Sequence, residues 1–184
     1  KSTLMKILAG VQPATPGSMA VGGQQVSFGG VADAQAHGVA MVYQELAIVA
    51  HLSVAENLFL GALSPVVSHR RLVRRAEPLL AQAELAVPPS APAGSLAVGE
   101  QQLLEIARAL GHERRVLVFD EPTAALSSGE TQRLFRLIGK LKERGVGLVY
   151  ISHRLEEVFA IADRVTVLRD GRKVLTAPVG DLTP

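Results

Sequence analysis

Two adjacent carboxylates, Asp120 and Glu121, follow the apolar stretch VLVF. Such a continuous apolar run is typical of a strand that is buried on both faces. An aspartate at the end of the strand can hold Mg²⁺, directly or through water, and the neighbouring glutamate can polarise an attacking water. The pair therefore indicates Mg²⁺-dependent phosphate chemistry, while a strand that ends in an ordinary charged turn fits the same residues.

Two further polar side chains also follow predicted strands. His153 comes after LVYIS and could donate an N–H to a γ-phosphate, and Gln44 comes after VAMVY, where its amide could orient a water. Taken singly, His153 also fits a helix start beside Ser152, and Gln44 fits an ordinary strand end. Because ligands of α/β sheets bind at the carboxyl ends of the strands, we expect these residues to meet at one site.

Two segments are suited to holding phosphates. Lys1-Ser2-Thr3 runs into an apolar, helix-like stretch, as the second half of a phosphate-binding loop does, and also as a common solvated helix start does. The stretch GSLAVGEQQLLEIARAL (94–110) places a glycine-bearing turn directly before a helix. Exposed amides and the helix dipole favour anions at such a place.

Alternating strands and helices position these residues. The apolar patterns predict strands over 38–45, 115–121, 147–152 and 163–168, and helices over 4–9, 53–61, 70–86, 99–110, 127–144 and after His153. Ser127 and Glu130 form a capping box, and Gly22-Gly23 and Asp170-Gly171 predict hairpin turns. Buried strands that alternate with helices predict a parallel sheet with helices on both faces.

Bulk composition restricts the classes of protein. The 184 residues are 48% hydrophobic and 20% charged, as expected for one globular domain, or for one domain that carries a subdomain. A net charge of +2 argues against a nucleic-acid-binding surface, and the arginines of HRRLVRR (69–75) and Arg114-Arg115 are expected to face solvent. With no cysteine and no apolar stretch of about 20 residues, we expect neither disulfides nor a membrane span.

In order, the segments KST, VYQE, LAVGEQQLLEIARAL, VLVFDEPTAAL and YISHRLEEVFAIADRVTVLRDGR resemble the ATP-binding subunits of ABC transporters. The similarity covers essentially the whole chain and is greatest to the amino-terminal cassette of sugar importers, in which two cassettes are fused. It implies a P-loop NTPase fold with a mostly parallel core sheet, a small antiparallel β region and an inserted helical subdomain. It also implies ATP binding and hydrolysis that power sugar import.

The resemblance assigns a role to each matching residue. Glu121 would be the general base and His153 the switch histidine on the γ-phosphate. Lys1 would bind the β- and γ-phosphates and Thr3 the α-phosphate. The Mg²⁺ ligands would be Ser2, Gln44 and Asp120, and the signature loop would be Leu96, Ala97, Val98, Gly99 and Glu100.

The same resemblance implies an organisation and a set of partners. Residues 1–45 and 113–184 would form the nucleotide-binding core, and residues 46–112 the helical subdomain that docks on a membrane permease. The other partners would be a second cassette and, indirectly, a periplasmic sugar-binding protein, with no nucleic acid. The protein would then be peripheral, on the cytoplasmic face of the inner membrane.

Two positions depart from the family pattern. The second signature residue, usually serine, is Ala97, and the position of the family's D-loop aspartate is occupied by Ser127. The hydroxyl missing at Ala97 would contact the γ-phosphate bound by the opposing cassette, and a hydrogen bond to a charged group is worth about 1.5–3 kcal/mol. We therefore expect an asymmetric pair of ATP sites.

Two other classes of function remain. A soluble ABC ATPase that acts on DNA would carry a long coiled coil between Gln44 and Leu96, but these residues are only 52 positions apart and no heptad pattern is sustained between them. A soluble ABC ATPase that acts on ribosomes fits poorly as well, because the segment PTAALSS differs from the motif of that class. A non-enzymatic or regulatory fragment is the other alternative, because the printed sequence lacks the glycines of a phosphate loop. For that reason we expect G-x-x-G-x-G upstream, and weak ATP binding by the 184-residue polypeptide alone.

Overall fold

The computed structural model describes residues 2–14, 17–43, 46–61, 68–111 and 114–182. The helices are α1 (Ser2–Leu8), α2 (Val31–Ala36), α3 (Val54–Leu58), α4 (His69–Gln82), α5 (Val98–Leu110), α6 (Ser128–Glu143) and α7 (Leu155–Ile161). The strands are β1 (Met19–Val21), β2 (Gln24–Val26), β3 (Val39–Val42), β4 (Val116–Asp120), β5 (Gly147–Ile151), β6 (Arg164–Arg169) and β7 (Arg172–Pro178). Short 3₁₀ helices span Ala93–Ser95 and Val179–Asp181.

A parallel sheet of three strands, in the order β3-β4-β5, lies at the centre of the described fold. Val42 of β3 pairs with Phe119 of β4, and Asp120 of β4 pairs with Ile151 of β5. The carboxyl ends of the three strands therefore lie along one edge of the sheet. This confirms the α/β class with a parallel core that the sequence predicts.

One expectation about strands was wrong. The sequence predicts that β5 is buried, but Leu148 to Ile151 are only half-buried, because β5 is an edge strand with one neighbour among the described residues. The strand β6 forms an antiparallel pair with β7 through the turn at Asp170-Gly171, which confirms the predicted hairpin. The described residues show no pairing between β6 and β5.

The helix α5 lies at the centre of the main hydrophobic core, where it packs against α3, α4 and β3. Helices that are buried on every side are apolar around their circumference. In α5 the buried side chains are those of Gln102, Leu103, Leu104, Glu105, Ile106, Ala107 and Ala109. Two polar side chains are thus buried in the core, and each needs a polar partner.

Local signals confirm several boundaries. The capping box of α6 is present, since the Glu130 carboxylate accepts from Ser127 N at 2.8 Å, and the chain leaves the helix at Gly145 with a φ of 77°. Gly22-Gly23 forms the turn between β1 and β2. The helix α4 ends at Gln82 rather than at residue 86, because Glu84 adopts a left-handed φ of 53°.

The two arginine clusters differ from each other. The arginines of α4 are exposed as expected, and the Arg75 guanidinium lies 4.4 Å from the centroid of the Phe59 ring. Arg114 was expected to face solvent but is half-buried, and its Nη1 donates to Gln35 O at 3.2 Å. Among the residues described, no helix combines the length and the apolar character needed to cross a bilayer.

Candidate functional site

The ends of β4 and β5 bring the predicted catalytic residues together. Directly after the Asp120–Ile151 pair, the Glu121 N–H donates to Ile151 O at 3.0 Å. Glu121 lies one residue past the end of β4 and His153 two residues past the end of β5. The two side chains are in contact, with 3.2 Å between Glu121 Oε2 and His153 Nδ1. Glu121 and His153, which are about 30 residues apart in the sequence, are in contact because the two strands are parallel and in register.

Glu121 has an unusual backbone conformation. Its φ of 49° lies in the left-handed region, which is uncommon for a residue with a side chain. Residues held in such conformations cost of order 1–3 kcal/mol and cluster at functional sites. The conformation turns the chain sharply after Asp120 and leaves the Glu121 side chain 29% exposed, beside a His153 side chain that is 68% exposed. Both groups are accessible to a ligand or to water.

Asp120 is the half-buried member of the site. Burial, followed by the negative charge of Glu121, raises the pKa of the Asp120 carboxyl above its usual range. Two carboxylates on consecutive residues repel each other, and a bound cation relieves that repulsion. Carboxylate oxygens are also the ligands that Mg²⁺ prefers. The Asp120 carboxylate is therefore suited to bind a magnesium ion.

A buried carboxylate that sequence reasoning missed lies behind this pair. Glu157 of α7 is only 4% exposed, and its carboxylate binds the side chains of four residues. We call Glu157 and these four residues the Glu157 network. Thr123 Oγ1 lies 2.8 Å from Oε1, Tyr150 Oη 3.0 Å and Ser152 Oγ 2.9 Å from Oε2, and Arg154 Nη1 3.0 Å from Oε1. The apolar pattern of α7 would place Leu155 in the core and Glu157 in solvent, but Leu155 is exposed and Glu157 is buried.

The predicted signature loop, residues 96–100, forms the start of α5. Ala97 is the N-cap, so Val98, Gly99 and Glu100 belong to the first helical turn rather than to a loop before it. The Glu100 carboxylate accepts from Ala97 N at 3.0 Å, and Val98 is exposed. Gly99 is buried against the Glu130 carboxylate at the start of α6.

No hydrogen bond or ion pair within the described ranges joins residues 96–100 to Asp120, Glu121 or His153. The start of α5 and the carboxyl edge of the sheet therefore share no direct polar contact in the part of the chain that the structure describes. The action of the signature loop on an opposing cassette stays a prediction.

The predicted phosphate and Q-loop residues are only partly described. Lys1 and Gln44 lie outside the described residues. Ser2 begins α1, and the Thr3 side chain is exposed on that helix. Their roles toward phosphate therefore stay predictions.

A second buried carboxylate, also missed from the sequence, is that of Glu105 in α5. Glu105 accepts from Ala47 N at 3.3 Å, Arg108 Nη1 donates to Ala47 O at 2.8 Å, and the two side chains are 3.4 Å apart. Burial raises the pKa of Glu105, and burial followed by the charge of Glu105 raises the pKa of Tyr43. Glu105 and Arg108 together tie α5 to the backbone of Ala47.

Comparison with known proteins shows which family this chain resembles. Residues 1–124 match the family model described as ABC transporter. The chain is 50% identical to the ribose import ATP-binding protein of Rhodopirellula baltica, over 100% of this chain and 37% of that protein. It is 47% identical to a putative ribose/galactose/methyl galactoside import ATP-binding protein of Burkholderia lata, over 98% of this chain and 36% of that protein. The chain thus spans about a third of the length of these curated relatives.

Solved structures share the fold. A nucleotide-free ATP-binding cassette from an ABC transporter superposes with a TM-score of 0.83 at 24% identity, covering 96% of this chain and 75% of that chain. A dimeric ATP-binding cassette in a post-hydrolysis state with ADP and Pi superposes with a TM-score of 0.80 at 24% identity, covering 97% of this chain and 80% of that chain. With the fold shared and two thirds of the sequence matched by the family model, the chain belongs to the ABC transporter family.

Proposed function

We propose that this chain is the amino-terminal ATP-binding cassette of a sugar importer, and that it binds and hydrolyses ATP to power import. The observation that carries the proposal is the contact between Glu121 and His153 at 3.2 Å, beside Asp120 at the carboxyl edge of a parallel sheet. The relatives named for ribose and galactose import support the choice of sugar as cargo.

In this proposal the water that attacks ATP is activated by Glu121. Its carboxylate is accessible, and its left-handed backbone holds the side chain beyond the end of β4. A carboxylate in hydrogen-bond reach of water can accept the proton as the water attacks, which typically contributes 10²–10⁴-fold to the rate. His153, in contact with the same carboxylate, orients it and donates an N–H toward the γ-phosphate.

The cofactors of the proposed reaction are ATP and Mg²⁺. Asp120, with Ser2 and Gln44, would hold Mg²⁺, while Lys1 and Thr3 would bind the phosphates. When bound, Mg²⁺ neutralises negative charge on the phosphates. Asp120 suits this role because its carboxylate lies at the carboxyl end of β4, and a cation beside it would offset the burial and the charge of Glu121 that raise its pKa.

We propose an assembly in which two parts of the chain serve different ATP sites. Residues 1–45 and 113–184 would supply the nucleotide core, and the start of α5, in the helical subdomain 46–112, would complete the site of a second cassette. The helical subdomain would dock on a transmembrane permease that receives sugar from a periplasmic binding protein. The protein would be peripheral at the cytoplasmic face of the inner membrane.

Replacing Glu121 by glutamine in the full-length protein tests the proposal. We expect the variant to keep its affinity for Mg-ATP and to lose ATPase activity by about 10²–10⁴-fold, because glutamine keeps the shape but cannot accept the proton. Phosphate release and nucleotide binding, measured on the same preparation, separate the two effects.

The matched control is Glu143→Gln at the exposed end of α6, which should leave ATPase activity unchanged. An unchanged rate in Glu121→Gln would contradict the assignment of the general base. Co-purification of a multi-pass membrane protein with the full-length protein would support the transport assignment, and co-purification with ribosomes instead would contradict it.

A further inference from the structure

The Glu157 network joins the two sides of the proposed catalytic pair. Thr123 lies two residues after Glu121, and Ser152 and Arg154 are the residues on either side of His153. All three side chains bind the one carboxylate of Glu157 at 2.8 to 3.0 Å. The turn that carries Glu121 and the turn that carries His153 are therefore fastened to the same buried group.

Hydrogen-bond directions in the network are determined. Arg154 N donates to Ser152 Oγ at 2.9 Å, so the single hydroxyl proton of Ser152 is left to donate to Glu157. Tyr150 Oη and Thr123 Oγ1 also point their hydroxyls at this carboxylate. An ionised carboxylate only accepts, and it can satisfy these donors together with the Arg154 guanidinium. An amide in its place would present an N–H₂ group to hydroxyls that need an acceptor.

Burial makes these contacts stringent. The Glu157 side chain is 5% exposed, and Thr123 is 3% exposed, so water cannot replace a lost partner easily. A buried network in which every polar group has a hydrogen-bond partner is rigid. Loss of one partner leaves a buried polar group unpaired, which costs free energy. The network also restrains Tyr150, whose pKa is raised by burial first and by its hydrogen bond to Glu157 second.

We propose that Glu157 is a positioning residue for ATP hydrolysis, because its buried carboxylate binds Thr123, Ser152 and Arg154 and so holds Glu121 and His153 at their contact distance. This inference rests on the proposed function of Glu121 and His153. Glu157 itself touches no substrate in this arrangement. A displacement of about 1 Å in a catalytic group can cost about 10²-fold in rate, so loss of the carboxylate should act on kcat.

The experiment measures ATPase kinetics and folding of the full-length protein with the changes Glu157→Gln, Glu121→Gln and both together. We expect Glu157→Gln to lower kcat by about 10- to 100-fold, with KM for ATP within about threefold of the wild type. We expect a much smaller further loss when it is added to Glu121→Gln, because the part of its effect that acts through Glu121 is then absent. A purely structural role would instead lower the yield of folded protein and leave kcat per folded molecule unchanged.

Milder variants cover the case in which Glu157→Gln does not fold. Ser152→Ala and Thr123→Val each remove one donor to Glu157 and should lower kcat about three- to tenfold, while Thr123→Ser, which keeps the hydroxyl, should restore it. Wild-type kcat in Glu157→Gln or in both single-donor variants would overturn the proposal, and so would an additive loss in the double variant. A wild-type rate in Glu121→Gln alone would overturn the proposed function instead.

Discussion

Ala97 begins α5 without a side chain that can accept a hydrogen bond. It has the extended backbone of an N-cap, with φ −60° and ψ 153°, and the Glu100 carboxylate supplies only the reciprocal half of a capping box by accepting from Ala97 N. In α3 and α6 the equivalent serines, Ser53 and Ser127, also accept from the third helical residue. Ala97 therefore leaves one amide at the start of α5 unsatisfied by a side chain.

Replacing Ala97 by serine is expected to stabilise the protein. The hydroxyl can accept from Glu100 N, as Ser127 accepts from Glu130 N, and a completed N-cap is worth about 0.5–2 kcal/mol. Urea unfolding followed by circular dichroism measures the free energy of unfolding. Ala97→Val, which adds bulk but no acceptor, is the control and should give no gain. Equal stabilities of Ala97→Ser and wild type would contradict the expected capping bond.

At the scale of secondary-structure elements, the starts of α5 and α6 are packed against each other at one glycine. A Cβ at position 99 would overlap the Glu130 carboxylate. That carboxylate accepts from Ser127 N and Ser127 Oγ, so it is not free to move aside without opening the capping box of α6. The glycine of the predicted signature loop thus has a packing role within this chain.

Replacing Gly99 by alanine is therefore expected to lower the free energy of unfolding by about 1–3 kcal/mol, through overpacking and the lost cap. The matched control is Gly139→Ala in α6, where no atom lies within 4 Å of the added Cβ. There the same change should stabilise the helix by about 0.5–1 kcal/mol. Thermal unfolding of both variants gives the comparison, and destabilisation of similar size in both would show that the Gly99 contact is not responsible.

A salt bridge joins the segment that follows α4 to α6. The Glu84 carboxylate lies 2.7 Å from Arg136 Nη2 and 3.1 Å from Lys140 Nζ. The hydrogen bond from Arg136, followed by that from Lys140, lowers the pKa of Glu84 from 4.5 to about 2. Because the folded-state pKa is the lower one, the stability from this group is present above about pH 4.5 and is lost as the pH falls toward 2.

The change Glu84→Gln should therefore lower the urea midpoint at neutral pH, and the difference from wild type should shrink as the pH falls below about 4.5. Since the group lies at the surface, added salt should shrink the difference as well. The control is Glu77→Gln on the exposed side of α4, for which the described residues show no ion pair. A pH-independent difference would contradict the role of this ion pair.

At the scale of the whole molecule, we expect the start of α5 and the carboxyl edge of the sheet to serve different ATP sites. The pair Glu121–His153 would belong to the site that this cassette binds, while Ala97 would face the nucleotide of the second cassette. The hydroxyl missing at Ala97 should therefore weaken the partner's site and leave this cassette's own site intact. The result would be one efficient and one impaired site in the assembled protein.

Ala97→Ser in the full-length protein tests this asymmetry. We expect higher ATPase and transport rates, because a restored hydrogen bond to a charged phosphate is worth about 1.5–3 kcal/mol. The gain should persist when Glu121→Gln disables the site of this cassette. ATPase and transport rates that do not change with the serine would contradict the asymmetric pair.

The amino-acid sequence by itself determined the elements and the order of the motifs. Apolar periodicity, the Ser127–Glu130 box and the Asp170-Gly171 turn are local signals, and such signals act through neighbours in the chain. The same holds for Asp120, Glu121 and His153, whose positions after apolar runs were enough to place them at the ends of parallel strands.

Only the tertiary structure decided which polar groups are buried and what they bind. Glu157 and Glu105 lie on helices where charge usually faces solvent, yet each is buried because partners from distant segments, such as Thr123 and Ala47, converge on it. Among the described residues, β5 lies at the edge of the sheet because it pairs only with β4, and the sequence of β5 does not indicate this position. These features depend on contacts between residues far apart in the chain, so local patterns carry no signal for them.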